Sequence, residues 1–175
     1  MNQREGIVAS NAQLTTKDTS MPITQRLALI VIIPLLLWNE ASSAQTQTEN
    51  EEAVAGAMAA LDEFMTSFNA RDSQLWAMSL NYPHVRFASG TVTVWETAEE
   101  FARTDSFNRL AAIGWDHSHW LSRDVVLVSP AKVHIATKFQ RFNDKNESIG
   151  MYESLYIVTR VDGHWGTQAR SSLAP

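Results

Sequence analysis

Hydrophobic and polar positions alternate with a period of two through much of the last third of the chain. Lys132 to Phe142 alternates apolar and polar, and Ile149 to Val161 and His164 to Ser172 are two further runs. Turn formers separate these runs: Ser129-Pro130, the cluster Asn143-Asp144-Lys145-Asn146, and Asp162-Gly163, a strong hairpin signal. With Trp115 to Val128 ahead of them, they predict a long antiparallel meander of four strands. A two-residue turn at Asp162-Gly163 pairs Val161 with His164, Tyr156 with Ala169 and Leu155 with Arg170. One face then holds Tyr156, Val158, Trp165, Thr167 and Ala169 as core. The other holds Glu153, Leu155, Ile157, Gln168 and Arg170.

The period changes upstream. Val54, Met58, Leu61, Met65 and Phe68 recur at steps of three and four, the stripe of an amphipathic helix, and Thr48 with Glu51 has capping-box spacing for its start. Asp72 or Ser73 caps a short second helix containing Leu75, Trp76 and Met78. His84 to Ser89 and Thr91 to Trp95 form a small hairpin around Gly90. Thr97 and Glu100 open a third helix through Phe101, Phe107 and Leu110, with a candidate break at Asp105-Ser106 and a stop at Gly114. Helices gathered on one side of a mostly antiparallel sheet define an α+β class.

Ahead of all this, Leu27 to Trp38 is an unbroken apolar run behind Arg26, followed by Ala41-Ser42-Ser43-Ala44. A membrane-spanning helix needs about 20 apolar residues. A shorter run between a basic residue and small residues reads as a secretory signal peptide, with cleavage after Ala44 and translation starting at Met21. Residues 1–44 are therefore expected to be extension plus signal, and residues 45–175 the folded domain. The expected destination is secreted or periplasmic, without stable membrane association after the signal is removed.

Composition narrows the chemistry. Fourteen Lys and Arg against 19 Asp and Glu give a net charge of −5, which argues against nucleic acid as a partner. The chain has no cysteine, which removes thiolate catalysis and Cys-based zinc sites. No G-x-S-x-G turn and no glycine-rich phosphate loop occurs. Neither a cofactor nor a metal is expected.

Three groups of residues remain as candidate chemistry. His117 and His119 are two apart on a strand, so both imidazoles share a face. Their expected role is proton transfer, since histidine is readily poised near neutral pH. A shared divalent ion would need a third ligand such as Glu153 or His134. Tyr82, His84 and Trp95 lie on the short hairpin, where they would either contact a planar ligand or plug the end of the sheet. Trp115, Tyr156 and Arg170 complete the expected ligand-binding set.

The element order, together with Ala60-Leu61-Asp62-Glu63-Phe64…Phe68-Asn69-Ala70-Arg71-Asp72 and Tyr156-Ile157-Val158-Thr159-Arg160-Val161-Asp162-Gly163-His164-Trp165, resembles the nuclear transport factor 2-like superfamily. Its ketosteroid isomerase-like and SnoaL-like branch is the part most resembled. The resemblance spans about Glu51 to Ser172. It implies a cone-shaped α+β barrel, with three helices packed on a curved, mostly antiparallel sheet around a funnel, and does not by itself imply one reaction. The isomerases keep a general-base aspartate on the first strand and a tyrosine in the first helix; His84 to Ser89 has no carboxylate, and the first helix no tyrosine. In SnoaL-like cyclases a sheet His and Asp form the acid–base pair, for which this sheet offers His117, His134, Asp116 and Asp124. The expected function is binding of a small, largely apolar organic molecule in the funnel, with cofactor-free histidine acid–base chemistry. A non-catalytic module that pairs through its open sheet, as a homodimer or with another exported protein, is the alternative.

Overall fold

In a computed structural model, residues 23–88 and 90–174 are described, with side chains from Gln45 onward. The expected start at Met21 lies outside the described residues. The expected cleavage after Ala44 falls where only the backbone is described. The compact unit that carries the sheet begins at Ser42. Among the described residues, no helix is long and apolar enough to cross a membrane.

Helix α1 spans Ile23–Asn69, so Thr48 and Glu51 do not start it; the helix runs straight through them. No glycine or proline occurs from Leu35 to Ala55, and side-chain bonds one turn apart support the helix there. Gln45 Nε2 donates to Glu49 Oε1 at 3.1 Å, and Gln47 Nε2 to Glu51 Oε1 at 3.0 Å. Its buried face combines Leu61, Met65 and Phe68 with Ala53, Ala57, Ala60 and Phe64, while Val54 and Met58 flank it. The alanines let the helix lie close to the sheet. At Gly56 the approach is close enough that a Cβ there would collide with the Trp165 indole.

Helix α2 (Ser73–Met78) is capped by Asp72, whose carboxylate accepts from Gln74 N at 3.0 Å and Leu75 N at 2.9 Å. The third helix is broken in two, α3 (Ala98–Ala102) and α4 (Ser106–Ala112), at the expected place. Thr97 Oγ1 accepts from Glu100 N, and Glu100 returns a bond to Glu96 N rather than to the cap residue itself. Gly114, at φ 77°, ends α4.

The strands are β1 (Leu80–Ala88), β2 (Thr91–Trp95), β3 (His117–Ser129), β4 (Lys132–Phe142), β5 (Ser148–Val161) and β6 (His164–Ser172). They form one six-stranded sheet ordered β2-β1-β6-β5-β4-β3. The meander is antiparallel as expected, but β1 pairs with β6 in parallel, so the sheet is mixed and is not closed into a barrel. With its helices it makes an α+β fold. At the last hairpin, Asp162 (φ 49°) and Gly163 (φ 85°) make the two-residue turn, and Val161 faces His164.

The expected register holds only as far as Val158 opposite Thr167. Gln168 is then extra, so Tyr156 faces Arg170, not Ala169, and Leu155 faces Ser171, not Arg170. A bulge turns the strand beyond it by one residue. Arg170 therefore joins Tyr156 on the helix-covered face instead of standing on the outer one.

Candidate functional site: an arginine-lined concave face

The helix-covered face of the sheet follows from strand alternation. From β4 it receives Val133, Ile135, Thr137, Phe139 and Arg141, which are buried while their neighbours in sequence are not. β5 contributes Tyr152, Ser154, Tyr156 and Val158, and β3 contributes Ser118 and Trp120. Tyr156 lies at the centre: it is 1% exposed and meets Phe64 and Trp120 edge-on at 5.5 Å each.

One rung across the sheet reads Arg86, Arg170, Tyr156, Ile135. Arg170 Nη1 donates to Tyr156 Oη at 3.2 Å, and its guanidinium carbon lies 5.6 Å from the Phe64 ring centre. Arg141 enters from the end of β4, 6% exposed, with its guanidinium 4.9 Å from the Tyr152 ring and 5.8 Å from Phe139. Burial, followed by the charges of Arg170, Arg109 and Arg141, pushes Arg86 down to about 10. Burial and Arg170 likewise depress Arg141, partly offset by Tyr152 and Tyr156. These cations therefore share one region of low polarity. Ion pairs among the described residues join Arg71 to Asp116, His117 to Asp116, Arg123 to Asp62 and Lys138 to Glu153, and none involves Arg86, Arg141 or Arg170.

Side chains of the short hairpin and its surroundings are engaged within the fold. His84 is 2% exposed, its Nδ1 lies 2.9 Å from Thr167 O, and its ring stacks on Trp95 and meets Phe101 edge-on. Burial, then the nearby Arg170 charge, lowers its pKa to about 4, so it is neutral with the proton on Nδ1 donated to Thr167. Tyr82 donates its phenol to Ala77 O at 2.8 Å. Trp115 is 3% exposed, donates Nε1–H to Ser118 Oγ at 2.9 Å, and packs on Phe68 and Phe107. Of the residues expected to bind ligand, the structure brings Tyr156 and Arg170 together. Tyr82, His84, Trp95 and Trp115 are committed to internal contacts.

His117 and His119 do share a face, with ring centres 5.0 Å apart and Phe142 against both. It is the face opposite Ser118 and Trp120, and His119 is exposed. Asp116 accepts from His117 Nδ1 at 2.9 Å and from Arg71 at 2.8 Å, and these partners, His117 first, hold its carboxyl below the usual range. Among the described residues no cluster of three or more His, Asp or Glu side chains could hold a metal ion; Glu153 is paired with Lys138 at 3.2 Å.

The outer face differs in character. Two of its rungs read Val92, Phe87, Ser171, Leu155, Ala136, Asp124 and Val94, Val85, Ala169, Ile157, His134, Leu127. Phe87, Val92, Val94, Leu127 and Leu155 are all exposed. A groove of about 510 Å³ runs along this side, lined in part by Asp124, Ala136, Lys138, Glu153, Leu155 and Leu173.

Comparison with known proteins agrees with this architecture. A family model described as "NTF2-like protein (DUF6841)" matches residues 48–170. Among solved structures, an NTF2-like protein with a cystatin-like fold from Novosphingobium aromaticivorans superposes with a TM-score of 0.57 at 12% identity, covering 78% of this chain and 88% of the other. An NTF-2 like protein from Shewanella oneidensis gives 0.56 at 11% identity, covering 69% and 98%. A ketosteroid isomerase-like protein from Erwinia carotovora atroseptica gives 0.52 at 20% identity, covering 72% and 99%. No curated protein matches the chain. These likenesses establish the fold, and the reaction or ligand has to be sought in the side chains.

Proposed function

The chain belongs to the NTF2-like family DUF6841, and from that premise we propose that it is an exported domain that binds a small organic molecule on the concave face of its sheet. The observation that carries this reading is the group of unpartnered N–H donors around a buried aromatic floor. Arg86 Nε, Arg141 Nε and Nη1, Arg170 Nε and Trp120 Nε1 are all buried without a hydrogen-bond partner; Arg170 and Trp120 meet Tyr156, Arg86 faces Arg170, and Arg141 lies over Tyr152. Native proteins leave few such groups, and a cluster of them marks a place completed by something else. Tyr152, Tyr156, Phe139 and Phe64 offer the apolar body of a ligand its contact surface. Binding, rather than turnover, is the function assigned to this face. Its one histidine, His84, is locked neutral against Thr167, and His117 and His119 stand on the other side of the sheet. Native mass spectrometry of the full chain from its own host tests the reading. A retained organic mass is expected, and it should be lost when Tyr156 and Arg170 are replaced together. A mass that survives that double substitution would place the ligand elsewhere.

A second reading concerns the outer face, where a specific observation favours self-association. Its rungs run apolar from the β2 edge inwards, and monomers rarely expose contiguous apolar patches beyond a few hundred Å². The few charges there include one pair already matched within the chain, Lys138 with Glu153, which leaves the surface suited to an identical copy rather than to a charged partner. A homodimer through this face is compatible with a ligand on the other. Sedimentation equilibrium of the full chain decides it; a monomer throughout the concentration range would sink this reading.

A further inference from the structure

The unpartnered groups on the concave face are mostly of one kind. Apart from the Thr167 hydroxyl, opposite Val158, each is an N–H donor, and most belong to guanidinium groups. A neutral polar ligand would be met by acceptors as well as donors. Arg86 and Arg170 face each other across the parallel β1–β6 pair, and Arg141 arrives from β4, so three strands that are distant in sequence each supply one cation to one place. Arg141 is 6% exposed. Buried like charges without counter-ions destabilise a fold, and a guanidinium left short of hydrogen bonds adds to that cost. Among the described residues no carboxylate offsets it. Arg109, exposed on α4, acts on Arg86 as well and extends the positive field towards solvent. Such a field lies inside a chain whose net charge is −5.

We propose that the ligand of this face is an organic carboxylate, with its anionic group between Arg86, Arg141 and Arg170 and its body against Tyr152 and Tyr156. The proposal rests on the reading of this face as a ligand site. The chemistry matches on three counts. A carboxylate accepts several hydrogen bonds at once, and guanidinium forks present paired donors to it. Arginine cannot relieve the repulsion by losing its proton at ordinary pH, so the offset has to come from an anion. Trp120 Nε1–H, near the Tyr156 ring, adds a neutral donor for a second acceptor atom on the same ligand.

The experiment is calorimetric titration of the full chain with 2-naphthoate and with its uncharged counterpart 2-naphthamide. The acid should bind roughly tenfold or more tighter than the amide, by the differential expected of charge-assisted bonds, and its affinity should fall with added salt. Arg141→Gln and Arg170→Gln should each abolish the preference for the acid, and Arg141→Lys should restore part of it. Without ligand, Arg141→Gln should melt at the same temperature as the parent or higher, since it removes a buried unpaired cation. Equal binding of acid and amide would overturn the carboxylate proposal and leave the ligand site standing. Failure of both to bind would overturn both readings. A lower melting temperature for Arg141→Gln would assign Arg141 to holding the fold, and that too would overturn the proposal.

Discussion

Arg170 Nη1 donates to Tyr156 Oη at 3.2 Å because Gln168 is one residue too many for the hairpin register. Were Gln168 paired in the ladder, Arg170 would stand opposite Leu155 and point away from the helices. The contact is unequal in its consequences. Tyr156→Phe removes an acceptor from a half-buried cation and should cost about 1 kcal/mol or somewhat more. Arg170→Met removes the cation together with its repulsion of Arg86 and should leave stability unchanged or raised. Urea denaturation of the two variants, side by side, checks the contrast.

His84 gives the fold a defined acid sensitivity. Its folded pKa, about 4, lies below the ordinary 6.5, so the unfolded chain binds the proton first. Stability is then full above about pH 6.5 and falls as the pH drops towards 4, by on the order of 3 kcal/mol for this group alone. Denaturant titrations at several pH values should show the slope, and His84→Gln should flatten the part between pH 6.5 and 4. An unchanged slope in that variant would assign the acid sensitivity to other groups.

Gly56 stands where helix α1 crosses Trp165. Alanine there gains helix propensity of about 1 kcal/mol but drives a methyl into a flat, packed indole ring. Overpacking of this kind costs typically about 1–3 kcal/mol, so the net expectation for Gly56→Ala is a loss of stability. A thermal melt at or above the parent would show that the ring moves aside freely.

Asn69 ties the end of α1 to the start of β3 through two bonds with the Ser118 backbone. Nδ2 donates to Ser118 O and Oδ1 accepts from Ser118 N, both at 2.9 Å. Asn69→Ala strands both groups and should cost about 2 kcal/mol. Chemical denaturation measures it, and amide exchange should speed up at Ser118 first.

Phe87 and Leu155 flank Ser171 on one rung of the outer face, Phe87 being 48% exposed and Leu155 37%. If two copies meet there, Phe87→Glu places like charges near the shared surface and should dissociate the dimer, since interfaces depend on a few large apolar side chains. The variant's melting temperature at low concentration should match the parent's. Sedimentation velocity reads the first effect and calorimetry the second.

Much of the sheet was legible in the sequence because its signals are local. The strand Lys132–Phe142 opens on a clear alternation, Lys132, Val133, His134, Ile135, and Asp162-Gly163 admits few turn types. The start of α1 was misread because a capping pair at Thr48 and Glu51 has no force where the chain before it continues the helix. The bulge at Gln168 has no glycine and no break in pattern to announce it. It reversed the side on which Arg170 stands, and with that the meaning of the residue. Pairing of His117 with His119 was legible from their spacing, but which face of the sheet the helices cover was not. The arginine group was illegible for a different reason. Arg86, Arg141 and Arg170 each read as a surface cation within their own strands, and only the parallel β1–β6 pairing together with the bulge brings them to one face.

That pairing also bears on how the domain is made. In the order β2-β1-β6-β5-β4-β3, the last of the six strands in chain order, β6, lies inside the sheet, between β1 and β5. Until His164–Ser172 leaves the ribosome, the nascent chain holds two incomplete pieces, a short hairpin and a three-stranded meander, each with an open edge facing a gap. Such edges recruit strands from other chains, and contacts so distant in sequence form slowly. A chain stopped at Val161 would therefore be a sticky fragment instead of a smaller domain, and the nine residues of β6 complete the sheet rather than trim it.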